Sequence, residues 1–264
     1  MAFAVGQGGV DNWTLPFRAI ADFALPQRCP SCGSLDGEGG SFCAVCWNSL
    51  VFLGAPCCAH CDLPLPYATD DAQSCAACLV KAPRHDGIKA AVAYGDIASD
   101  VALRLKYGGR IGLARVIARL LVRHVNALPD DALLVAVPLH WTRLWMRSFN
   151  QSVLIARALS EMTGRAHSPD VLKRTRRTTP LGGLSGKERR RMVAGAFALD
   201  PARAGQVKGR HILLVDDVYT SGATADACVR TLKKGGAAAV TIICWARVLP
   251  QGLETMPASM AHAP

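Results

Sequence analysis

The chain has 264 residues, half of them hydrophobic and only 19% charged, with a formal net charge of +10. That composition excludes a disordered chain, which needs low hydrophobicity and high net charge, and the length suits roughly two domains. No run of about 18 apolar residues suggests a membrane-spanning helix, and residues 1–30 lack a basic cluster followed by an apolar stretch, so a cytoplasmic protein is expected.

Along the chain, Trp13, Phe17, Ile20 and Phe23 recur at helical spacing, so residues 12–25 are predicted to form a short amphipathic helix that stops at Pro26. Residues 28–80 are rich in Cys, Gly and Pro and lack periodicity. A segment this small needs a staple to replace a core. Nine of the eleven cysteines lie here, and four Cys-x-x-Cys pairs supply the staple: Cys29/Cys32, Cys43/Cys46, Cys58/Cys61 and Cys75/Cys78. In a reducing compartment such pairs point to metal or redox chemistry rather than disulfides. Two thiolates two residues apart occupy two corners of a tetrahedron, so two pairs close one structural zinc site and four pairs close two. Sequential and interleaved pairing both satisfy the spacing. A redox motif would not need four copies, and an iron–sulfur cluster could use the same thiolates. His60, inside the third pair, offers an alternative site of three cysteines and one histidine. Cys57 lacks the two-residue spacing to Cys61 that selects Cys58.

After a linker at 81–84 the texture changes to alternating apolar runs and helical stretches. Strands are predicted at 88–94, 133–137, 211–215 and 240–245, and helices at 98–106, 113–126, 151–163 and 223–234. Residues 173–192 read as a long polar loop, and 249–264 as a frayed tail. The alternation argues for βαβ units and a parallel sheet with helices on both faces. Cys228 and Cys244 fall in a helix and a strand as small core residues. The divisions are then 1–27, 28–84, 85–248 and 249–264. Charge follows them: residues 1–84 carry four basic and seven acidic residues, whereas 140–191 carry twelve basic and three acidic. A basic face favours anionic partners such as phosphorylated small molecules or nucleic acid.

Residues 212–224, ILLVDDVYTSGAT, run from an apolar strand through Asp216 and Asp217 into a turn of small residues and then a helix. Gly222 lets backbone approach a ligand closely, the amides and hydroxyls of Thr220, Ser221, Gly222, Ala223 and Thr224 converge at a helix N-terminus that favours an anion, and the carboxylates can accept from sugar hydroxyls. Phosphate and diol side by side outline a ribose 5-phosphate. Neither the Walker spacing nor a dinucleotide Gly-x-Gly-x-x-Gly is present.

This stretch resembles the 5-phosphoribosyl 1-diphosphate (PRPP) signature of type I phosphoribosyltransferases. Together with the N-terminal cysteine pairs and the stretches LKYGGR (105–110), VAVPLHWTRLWMRSFNQS (135–152) and TTPLGGLSGKERRRMVAGAF (178–197), it resembles the ComF family, related to competence proteins and to the GntX type, over roughly residues 15–247. The resemblance implies an α/β, phosphoribosyltransferase-like parallel sheet flanked by helices and preceded by a small double zinc ribbon. It implies PRPP or a nucleoside monophosphate at residues 216–224, with Asp216 and Asp217 serving catalysis. Diphosphate would face Arg143, Arg147, Lys106 and a Mg²⁺ ion, under a closing loop at 173–192. It also implies a role in DNA uptake or nucleotide metabolism. Single-stranded DNA and uptake proteins are the expected partners, with Trp141, Trp145 and Phe149 available for base stacking. Ser148 replaces the glycine of the family's Arg-Gly-Phe-Asn-Gln, Met192 stands where an asparagine is usual, and Leu181 or Gly182 replaces a glutamine.

Overall fold

The computed structural model describes residues 28–35, 41–66, 73–176, 186–250 and Leu253, without the side chains of Arg143 and Lys187. The helix expected at 12–25 and nearly all of the tail lie outside these residues. Two compact units divide between Trp47 and Asn48. The first carries the first two cysteine pairs and the start of α1 (Ala44–Asn48). The second carries the remaining pairs, with α2 (Ala76–Val80) between Cys75 and the linker, together with the whole α/β sheet. The sequence reading puts its boundary near residue 84. The structure instead joins the second cysteine set to the sheet, because residues 51–53 bond to the first strand: Leu53 N–H donates to Ala91 O at 3.2 Å and Ala93 N–H to Val51 O at 2.8 Å.

The sheet has four parallel strands in the order β1 (Ile88–Ala93), β6 (Ala239–Arg247), β5 (His211–Tyr219) and β2 (Leu133–Ala136). Strands covered on both faces read as continuous apolar runs, and β2 and β6 are buried almost throughout. Side chains alternate across the sheet. Ile88, Leu133, Val135, Ile212, Leu214, Ile242 and Cys244 pack with Cys228, Val229 and Leu232 of α8 (Ala223–Lys234). The alternate positions turn toward α4 (Leu113–Asn126) and α6 (Gln151–Thr163), which pack on each other and on the sheet. Between β1 and α4 runs α3 (Asp96–Tyr107), and between β2 and α6 runs a short α5 (Trp141–Arg147). The expected polar loop is partly ordered into β3 (Leu172–Arg174) and α7 (Gly186–Val193), and β3 pairs antiparallel with β4 (Phe197–Leu199). Residues 177–185 lie outside the described residues.

Three helices keep their expected limits: α4, α6 and α8. The two central strands are longer than their apolar runs. Asp216, Asp217, Val218 and Tyr219 continue β5, because β6 stays alongside as far as the Tyr219–Arg247 pair.

Candidate functional site

The eight paired cysteines form two sets, Cys29, Cys32, Cys43 and Cys46, and Cys58, Cys61, Cys75 and Cys78, with the sulfurs of each set within 4.8 Å of one another. The grouping is sequential, and neither His60 nor Cys57 belongs to it. A tetrahedron with metal–sulfur arms of about 2.3 Å has edges of about 3.8 Å. Cys32 and Cys43 stand 3.7 Å apart and Cys61 and Cys75 3.8 Å apart, so both sets fit structural zinc. The two turns repeat one geometry: Gly33 N–H donates to Cys29 O at 3.1 Å, Asp62 N–H to Cys58 O at 2.8 Å, and both residues take positive φ, 80° and 53°. Burial acts to raise the Cys58 thiol, but the amides of Cys75, His60 and Cys61 outweigh it and bring it down to about 6. Four thiolates leave no open coordination position, so the chemistry here is structural.

The ligand-type site lies at the carboxyl edge of the sheet, where parallel folds bind ligands. Its opening has a local cause. Val137 N–H makes the last β2–β5 bond, to Val215 O at 2.9 Å, and the next pair in the ladder is diverted: Val137 O accepts from Asn150 Nδ2 at 3.0 Å, and Asp217 N–H donates to Asp216 Oδ1 at 2.9 Å. Beyond that point β5 pairs, among the described residues, with β6 alone, and a cleft of about 290 Å³ opens beside Asp216 and Asp217. Lys106, Tyr107, Arg147, Gln151, Ser152, Arg174, Thr220 and Thr224 line it with them.

The paired carboxylates have different partners. Asp217 forms an ion pair with Lys106, near the C-terminus of α3. Burial works against the Lys106 ammonium, but the charges of Asp217 and Asp216 outweigh it and leave its pKa above the ordinary lysine value. Asp216 accepts from Ser152 Oγ at 3.2 Å and from the Asp217 N–H at 2.9 Å. Burial, then the charge of Asp217, pushes it up to about 7. Ser152 reaches it because Asn150 starts α6 there: its Oδ1 accepts from Ser152 N–H at 2.9 Å, while its Nδ2 donates to Val137 O at 3.0 Å.

After Tyr219 the chain turns in three residues into α8. Gly222 sits at the N-cap with φ 72°. A Cβ there would stand 2.8 Å from Tyr219 Cζ and closer still to its hydroxyl, so any other residue would carry a strained left-handed backbone and have to displace the Tyr219 ring. Among the described residues no hydrogen bond engages the hydroxyls of Thr220, Ser221 or Thr224. The first-turn amides of α8 have no acceptor of their own, which is the usual state of a helix N-terminus and suits an anion.

Of the residues expected to face diphosphate, Lys106 and Arg147 reach the cleft. Arg147 stacks over Tyr107 at 4.7 Å and donates to its hydroxyl at 2.8 Å. Arg143 lies in α5, and its side chain is outside the description. That helix spans Trp141–Arg147. It closes at Ser148, whose φ of 62° and ψ of −7° explain the family's glycine; serine there costs about 1 kcal/mol. Ser152, Gln151 and Arg174 escape the sequence reading. The Asn-x-Ser start of α6 is the available signal for the first two, whereas Arg174 sits in a stretch that reads as loop. Mg²⁺ finds one carboxylate already neutralised by Lys106 and the other held near pH 7, so a magnesium ion would depend on the oxygens of its own ligand.

A parallel sheet with acidic residues and a phosphate-type turn at its carboxyl edge, in a chain that also carries two four-cysteine sets, defines a phosphoribosyltransferase-like protein with a double zinc ribbon. Residues 20–79 match the family described as double zinc ribbon domain, and residues 154–254 match the phosphoribosyl transferase domain. The DNA utilization protein YhgH of Escherichia coli (strain K12) is 34% identical over 215 residues, covering 78% of this chain and 90% of that protein. Competence protein F of Haemophilus influenzae is 30% identical over 216 residues, covering 79% and 92%. Competence protein ComFC of Streptococcus pneumoniae is 25% identical over 205 residues, covering 77% and 86%. The chain belongs to the ComF family of competence-related proteins.

Proposed function

We propose that the cleft binds PRPP, or a nucleoside monophosphate, and that its chemistry is phosphoribosyl transfer to a nitrogen nucleophile with loss of diphosphate. The observation that carries this reading is the junction at 216–224: two carboxylates on the open edge of β5, then a three-residue turn with Gly222 at a helix N-terminus. The turn would hold the 5-phosphate, and Asp216 and Asp217 the ribose hydroxyls as positive charge grows at C1′. The nitrogen lone pair forms the new bond to C1′ while the C1′–O bond breaks, and that electron pair leaves with diphosphate. Lys106 and Arg147 would face the departing charge, and Mg²⁺ carried on the diphosphate would neutralise more of it. The relatives' names support a role in the use of DNA or in competence. A cytoplasmic location would keep the thiols reduced and available for zinc.

Calorimetry with PRPP and Mg²⁺ tests the site. Gly222→Val should abolish binding with the far-UV circular dichroism unchanged. Asp217→Ala should cost roughly 1.5–3 kcal/mol, a loss of about ten- to more than a hundredfold in affinity. Equal binding by both variants and the wild type would place the ligand elsewhere. Diphosphate release with candidate nucleobases then separates an enzyme from a module that only senses nucleotide.

A second reading, binding of single-stranded nucleic acid, is favoured by one surface. Trp141 and Trp145 of α5 are 66% and 84% exposed, in a segment of twelve basic and three acidic residues (140–191). Exposed aromatic rings beside cations are how sequence-tolerant single-strand binders stack bases.

A further inference from the structure

We propose that Arg247 couples the second zinc site to the phosphate-type turn, so that zinc at Cys58, Cys61, Cys75 and Cys78 and ligand in the cleft stabilise each other. This rests on the reading of that turn given above. Arg247 ends β6 directly opposite Tyr219 and is only 7% exposed. Its Nη1 donates to the carbonyl of Cys61, and its Nη2 lies 3.7 Å from the Cys61 sulfur. Its guanidinium stands 5.7 Å from the centre of the Tyr219 ring. The other end of that ring occupies the space a Cβ on Gly222 would need. Backbone bonds hold the same corner: Val248 N–H donates to Tyr219 O at 2.9 Å, and Tyr94 N–H to Arg247 O at 2.7 Å.

The physical chain is short. Zinc fixes Cys61 and leaves four thiolates around a dication, a net charge of about −2 that a buried guanidinium partly offsets. Metal loss frees the Cys61 carbonyl and sulfur, and Arg247 is then a buried cation short of partners. Its nearest neighbour on the ligand side is Tyr219, the ring against which Gly222 takes its left-handed conformation. Arg247 is thus a positioning residue: it touches neither ligand nor metal, and it acts through Cys61 on one side and Tyr219 on the other. Coupling of this kind is reciprocal, so the factor by which zinc tightens ligand binding equals the factor by which ligand tightens zinc.

The full-length, zinc-loaded protein is treated with N-ethylmaleimide with and without saturating PRPP and Mg²⁺, and alkylation of each cysteine is followed by peptide mass spectrometry. PRPP should slow labelling of Cys58, Cys61, Cys75 and Cys78 by about tenfold, within the ordinary range of coupling energies. Cys29, Cys32, Cys43 and Cys46 should label at unchanged rates, and Cys228 and Cys244 in the sheet core report any global unfolding. In Arg247→Met the protection should vanish while zinc content stays the same and PRPP binds, more weakly than to the wild type; Arg247→Lys should recover part of the protection. If PRPP binds by calorimetry and both zinc sets keep their rates, the coupling is wrong and the ligand site stands. If PRPP does not bind the wild type, the ligand site itself is wrong and the coupling falls with it. Should the methionine variant not fold, protection confined to the second set in the wild type still decides.

Discussion

Asp216 and Asp217 are neighbours in sequence with the same side chain, yet among the described residues only Asp217 has a cation in contact. Lys106 neutralises Asp217, and Asp216 must make do with Ser152 and an amide. The Asp216 pKa rises to about 7 from burial and the adjacent charge, against about 3.9 in an unfolded chain. The folded state therefore holds this proton more tightly. Keeping Asp216 ionised costs stability above pH 7, and the cost is relieved as pH falls from about 7 toward 4. Asp216→Asn removes the titration. It should be more stable than the wild type at pH 8, with a gap that narrows steadily toward pH 5. Denaturant midpoints at four pH values measure this, and a gap independent of pH would contradict the assignment. The acidic pair itself is legible as a motif. Its partner Ser152 lies 64 residues away, and Arg247 reaches Cys61 across 186, separations that no local pattern encodes.

The elements read best where periodicity is long. Helices α4, α6 and α8 end where their apolar stripes and their glycines or asparagines say they should. Helix α5 escapes a pattern reading because its seven residues, with Trp, Leu, Met and Arg among them, carry no resolved stripe. The second cysteine set shows the larger difference. Its four cysteines belong to one buried cluster with the sheet residues Ile88 and Ala90 and with Leu53. Residues 51–53 bond along β1, covering a sheet edge that would otherwise present unpaired backbone groups. The two zinc ions should therefore differ in consequence. The purified protein should hold two zinc ions by atomic absorption. Cys58→Ser should lower the melting temperature of the sheet-containing unit by several degrees, as a loss of more than 1 kcal/mol does in a domain of this size. Cys29→Ser should lose one zinc and leave that transition nearly in place. Equal effects of the two substitutions would mean that the second ribbon does not brace the sheet.

At the scale of the molecule, charge separates the parts. Residues 1–84 are mildly acidic, and the excess of cations lies beyond them. Among the described residues no helix is long and apolar enough to cross a membrane. If the exposed Trp141 and Trp145 mark a path for single strands, affinity for an oligonucleotide should fall linearly with salt on logarithmic axes, by about 0.7 per phosphate contacted. Replacing both tryptophans by alanine should weaken binding at every salt concentration and leave that slope unchanged. Failure to bind at low salt would remove this reading. The sequence by itself determined what local chemistry specifies: the thiolate pairs with zinc spacing, the alternation that makes a parallel sheet, and the strand–Asp-Asp–turn–helix junction with its glycine. Only the tertiary structure decided which cysteines are grouped, that Asn150 and Asp216 take the groups that would continue the β2–β5 ladder beside the cleft, that Lys106 rather than solvent neutralises Asp217, and that Arg247 lies between Cys61 and the Tyr219 ring. Those outcomes depend on groups far apart in the chain, whose distances exist only once the strands have paired and the helices have packed upon them.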